Sequence, residues 1–151
     1  MSKHTLARWG LGTLMFVYIA ATVHAGQAHP TATIAVGGYD LVSYHAADGP
    51  VRGSSAITAV YAERVYQFVD DSNRAQFLAD PKKYLPRYQG WCATSLSMGR
   101  LVIPDYTNFK IEDGSLLLFE HTGFTNGRTL WDSDPSGFRA RADQHAVELL
   151  K

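Results

Sequence analysis

The chain has 151 residues, 46% of them hydrophobic, with 14 basic and 14 acidic side chains and no formal net charge. That balance, without a basic block or an arginine stripe, excludes nucleic acid as the main partner, and plentiful aromatics with few prolines exclude a disordered chain. A single cysteine, Cys92, excludes an internal disulfide framework.

Lys3 and Arg8 precede an uncharged run from Trp9 to Val23, and Val23-His24-Ala25 offers small or apolar residues where a signal peptidase reads. This order predicts a secretory signal over residues 1–25. Its apolar stretch falls short of the ~20 residues that cross a bilayer as a helix. No stable membrane span is therefore expected after cleavage, and the mature chain is expected in the periplasm or outside the cell. The remainder, about 125 residues, suffices for one domain with a core. Residues 26–33 read as a flexible N-terminal arm and 34–151 as a single domain.

Ile34 to Val36 reads as a short first strand ended by Gly37-Gly38. A turn follows at Asp48-Gly49-Pro50. Ile57 to Tyr61 and Val65 to Phe68 read as a hairpin in which Tyr66 and Phe68 share a face. Asp70-Asp71-Ser72 signals a helix start capped by Asp71 or Ser72. Asp80-Pro81 opens a shorter helix that carries Tyr84 and stops before Pro86. Asp113-Gly114, between Phe109 to Glu112 and Ser115 to Phe119, is a two-residue hairpin signal because both turn positions need positive φ. Asp134-Pro135 opens a C-terminal helix with Phe138, Ala142, His145 and Leu149 at helical spacing. Antiparallel hairpins packed with short helices, plus a C-terminal helix, predict an α+β fold.

The candidate chemistry centres on Cys92. A thiolate is a soft donor suited to Cu(I) or Zn(II) and needs partners. Met98 is a soft thioether six residues on, and His45 and His121 are the other available donors. One thiolate with imidazole or thioether donors favours copper. The spacing carries no metal motif of its own. The structural alternatives are a buried Cys92 among Tyr84, Tyr88 and Trp91, a core Met98, and surface histidines. Asp40 reads as a turn residue accepting local backbone N–H groups. A Cys-His enzyme would need a base beside the sulfur and an oxyanion hole, and no local motif selects either.

Several pieces taken in order resemble the YHS-domain proteins, in their exported single-domain branch. They are Gly38-Tyr39-Asp40 with Val42-Ser43-Tyr44, Val51-Arg52-Gly53-Ser54, Tyr66-Gln67-Phe68, Ser72 to Phe77, Asp80 to Tyr84, and Tyr88-Gln89-Gly90-Trp91-Cys92-Ala93. The resemblance implies a small α+β YHS-like domain linked to metal binding. The chain departs from that pattern in having Cys92 alone where metal-linked modules carry several cysteines. It also has Leu41 where exported relatives have proline, and His45 where they often have an aromatic. The first functional reading is soft-metal capture, copper foremost, by Cys92 with His45, His121 or Met98. The second is a noncatalytic ligand- or protein-binding module with an inert buried cysteine and an aromatic core or pocket. A Cys-dependent enzyme is third.

Overall fold

The computed structural model describes residues 33–151. The expected export signal lies outside the described residues, as does all of the expected arm but Thr33. No helix among the described residues is long and apolar enough to cross a membrane.

The architecture is α+β. Strand β2 (Ser54–Tyr61) and β3 (Arg64–Phe68) form the expected hairpin, and β1 (Thr33–Ile34) adds to β3 in parallel, giving the order β1-β3-β2. A second antiparallel pair joins β4 (Asp105–Glu112) to β5 (Ser115–Phe119). Its Asp113-Gly114 turn has φ of 50° and 74°, as the dipeptide predicts. Helices α1 (Asp71–Ala79) and α2 (Pro81–Tyr84) follow the first sheet. Helix α3 (Ala93–Ser97) precedes β4, and α4 (Gly127–Ser133) with α5 (Pro135–Leu149) closes the chain.

Strand β5 organises the interior. Its side chains alternate between faces, and both faces are covered. Leu116 and Leu118 join Leu41, Tyr44, Phe68 and Phe77 in one core. Leu117 and Phe119 join Leu96, Trp131 and Ala142 in the other. An unbroken apolar run is what a strand buried on both sides requires, and each such leucine contributes about 1.5–3 kcal/mol of burial.

Some sequence expectations need correction. The first strand ends at Ile34, because Val36, Gly37 and Gly38 turn left-handed at φ 50°, 58° and 80°. Asp70, not Asp71 or Ser72, caps α1, its Oδ1 accepting the Asn73 N–H at 2.7 Å. Met98 is 49% exposed and so is not core. On α5, Phe138 and Ala142 face inward as expected, but Leu149 is exposed and Ala146 and Leu150 pack in its place. Asp134 caps that helix through the Gly137 N–H at 3.0 Å.

Candidate functional site

Cys92 is fully buried, at 0% exposure. It is the N-cap of α3, and its Sγ accepts the N–H of Ser95 at 3.4 Å and of Glu120 at 3.2 Å. Its own N–H donates to Val102 O at 3.0 Å. Gly127 presses on the sulfur so closely that an added Cβ would sit 3.4 Å from Sγ. The thiol therefore ties the end of β5 to the start of α3, with backbone as its hydrogen-bonding partner on both sides.

The other expected donors are directed elsewhere. The His121 side chain is 54% exposed and its Nδ1 lies 3.9 Å from Asp105 Oδ2. The Met98 Sδ accepts from Arg100 Nη2 at 3.8 Å on the surface. His45 sits edge-on to Tyr84, with ring centroids 5.4 Å apart. Its Nε2 is sealed without a hydrogen-bond partner. Burial, then the nearby Lys83 charge, holds the His45 pKa below its ordinary value. His45 also lines a shallow cleft of about 480 Å³ with Asn73, Gln76 and Lys83. Among the described residues, no three His, Cys, Asp or Glu side chains gather as a metal-holding group.

Asp40 is more than a turn residue. Its fully buried carboxylate accepts Val42 N–H at 2.8 Å, as a turn aspartate does, and also Val69 N–H at 3.0 Å and Asn73 Nδ2 at 2.8 Å. Buried carboxylates persist only when their oxygens are satisfied in this way. Asp40 thus joins the turn after Tyr39, the end of β3 and the start of α1.

A larger concavity than the His45 cleft lies elsewhere, beneath the β2–β3 turn. It is a cleft of about 790 Å³ whose aromatic lining is Tyr61, Tyr66, Trp91 and Tyr106, with Ile34 and Ile103 at its mouth. That volume falls in the range of small-molecule sites, about 300–1,000 Å³. Ile103 is 68% exposed and Ile34 is also open to solvent, and they share the rim with the exposed Glu63, Arg64 and Gln89.

Three left-handed segments wall this cleft. Val36 belongs to the first, and Ala62 and Glu63 form the β2–β3 turn at φ 46° and 61°. The third is Tyr88, Gln89 and Gly90 at φ 63°, 56° and 89°. A β-branched residue at positive φ is an outlier, and each such residue costs on the order of 1–3 kcal/mol unless its surroundings hold it. Here they do. The Tyr106 ring lies against Gly37, where an added Cβ would come within 2.6 Å of it. Arg52 Nη1 donates to Gly37 O at 3.0 Å. The third segment is held by α5. Tyr88 Oη donates to Asp143 Oδ1 at 2.9 Å, Arg87 Nη2 reaches both Asp143 oxygens at 3.1 and 3.2 Å, and Gln89 Nε2 donates to Leu150 O at 3.1 Å. Burial, then the bond to Asp143, pushes the Tyr88 pKa up to about 12.

The sequence placed Tyr66 on a strand face with Phe68 and Trp91 beside Cys92, and gave no sign of Tyr106, Ile103 or Arg64 as site residues. Those residues meet only through the packing of β4 and the preceding loop on the first sheet. The one local signal was a repeated form, two residues and a glycine, in Val36-Gly37-Gly38 and Tyr88-Gln89-Gly90.

No family model matches the chain, and neither a curated protein nor a solved structure does. The resemblance to YHS domains therefore rests on the ordered motifs of the sequence itself.

Proposed function

We propose that this chain is an exported, noncatalytic YHS-type binding module that takes its ligand in the aromatic cleft, with Cys92 a buried structural thiol. The single observation that carries this reading is the cleft itself, about 790 Å³ and lined by four aromatic side chains. Strained backbone around it adds support, because such strain tends to collect where a binding surface is preorganised. An enzyme working through Cys92 would need a base on the sulfur, and the partners of Sγ are backbone N–H groups.

The test is a titration of the full chain with small amphipathic molecules, read by Trp91 emission and by thermal stabilisation. Ligands that shift both, and that lose about tenfold in affinity in Ile103→Glu, support the cleft. Ile103 is exposed, so this variant keeps its stability to within about 0.5 kcal/mol. Emission and melting temperature unmoved by every ligand would count against it.

Soft-metal capture is the rival reading. A cysteine sulfur is the soft donor that Cu(I) prefers. Capture would require Met98 or a histidine to leave its present contacts and reach a sealed sulfur. A Cu(I) titration against a competing chelator decides the matter. Stoichiometric binding lost in Cys92→Ser would establish the metal site, and equal binding by both proteins would remove it.

A further inference from the structure

The cleft carries polar groups beside its aromatic walls. Arg64 and Tyr66 are two apart on β3 and share a strand face, and both line the cleft with Tyr61. Tyr66 is 5% exposed, its ring tilted against Phe77 at 4.9 Å between centroids. Its hydroxyl makes no hydrogen bond to any described residue, yet it is not among the sealed, unpartnered polar atoms. A buried phenol that finds no acceptor among the described residues has a hydrogen bond to offer a ligand. Arg64 is exposed and forms no ion pair with a described residue. Its guanidinium acts on the Tyr66 hydroxyl and draws the phenol pKa down, against the larger upward push of burial. Glu63 is the other charged residue of the lining and stands on the exposed β2–β3 turn. A cation and a hydroxyl donor therefore line the cleft from one face of β3.

We infer that the cleft selects amphipathic carboxylates, the headgroup held by Arg64 and the Tyr66 hydroxyl and the aliphatic or aromatic body lying against Trp91, Tyr106 and Ile103. This rests on the reading of the cleft as the ligand site and names the class of ligand. A guanidinium and a phenolic O–H both donate, which suits a carboxylate oxygen pair and leaves an amine without an acceptor. The aromatic walls suit a flat or flexible apolar body, and the volume accommodates one of roughly ten to twenty heavy atoms.

Calorimetric titration of the full chain with octanoate, octanamide and octylamine tests the inference. These probes share a body and differ in headgroup. The expected result is octanoate binding about tenfold or more tighter than octanamide, the factor that a charge-assisted hydrogen bond supplies. Arg64→Gln should remove that difference, while Tyr66→Phe should weaken octanoate several-fold and keep the ring packing on Phe77. Equal binding of octanoate and octanamide, or a preference for octylamine, would overturn the carboxylate class and leave the cleft a ligand site. Heat from none of the three would overturn both.

Discussion

Asp40 shows how one residue sets a local structure. Three donors from three segments converge on its carboxylate, away from water. Asp40→Asn keeps the shape but turns one oxygen into a donor, which then faces the Val69 N–H or another N–H. Leaving a buried donor unsatisfied costs about 1–3 kcal/mol, and the expected loss here is about 2–4 kcal/mol because several donors share the group. Urea denaturation of the variant measures it, and a loss under about 0.5 kcal/mol would mean the carboxylate is dispensable. Cys92 is the second case. A fully buried thiol with backbone partners is expected to resist a thiol reagent in the native protein and to react at the rate of a free thiol once the chain is unfolded. Rapid native reaction would show an open route to the sulfur that its burial denies.

At the scale of elements, the hairpins and the long helices were legible because their signals are local. Asp113-Gly114 specifies its turn, Asp134-Pro135 starts α5, and the leucine run of β5 announces a strand covered on both faces. Helices α3 and α4 were not legible. They are short, and burial of Ala93 and Leu96 or of Trp131 within the second core holds them in place rather than any periodic pattern. The motif pieces behind the YHS resemblance have a structural meaning that order alone did not convey. Gly38 O accepts Gly53 N–H at 2.9 Å, Val51 O accepts Asp40 N–H at 2.9 Å, and Asn73 reaches Asp40, so several of the pieces meet around one buried carboxylate. The β2–β3 turn makes the complementary point. Ala62 and Glu63 occupy the two positive-φ positions of a two-residue turn, where Asn-Gly is preferred. Glu63→Gly should therefore stabilise the chain by about 0.5–1 kcal/mol, read as a higher urea midpoint. A lower midpoint would mean that the Glu63 side chain contributes more than its backbone conformation costs.

At the scale of the molecule, the site was the least legible part. Cys92, His45, His121 and Met98 were singled out by their chemistry as free residues, and folding places one in the interior and directs the others to separate contacts. The cleft depends on Arg64 and Tyr66 from the first sheet meeting Trp91, Ile103 and Tyr106 from distant segments, a juxtaposition that no local spacing encodes. The molecule also carries a pH dependence. Glu112 is desolvated, which raises its pKa, but bonds from Lys110, Arg139 and Trp131 outweigh burial and hold it below its ordinary value of 4.5. That stabilisation is complete above the unfolded value and is lost as pH falls through the lower folded one. His45, also held below its ordinary 6.5, acts in the same direction at higher pH, since the unfolded chain takes up the proton first. Stability is therefore expected to decline in two windows, below about pH 6.5 and again below about pH 4.5. His45→Gln should flatten the first and Glu112→Gln the second. A urea midpoint constant from about pH 7 to pH 5 would contradict the first assignment, and one that does not fall further below about pH 4.5 the second.

The central claim is that binding belongs to the aromatic cleft and not to the thiol. Backbone and indole N–H chemical shifts, followed as octanoate is added to the isotopically labelled full chain, test it most directly. The account predicts saturable shifts at Tyr66, Gln89, Gly90, Tyr106 and the Trp91 indole, with Ser95 and Glu120, the donors to the thiol, unmoved. Shifts centred on Cys92, Ser95 and Glu120, or no saturable shift at all, would contradict it.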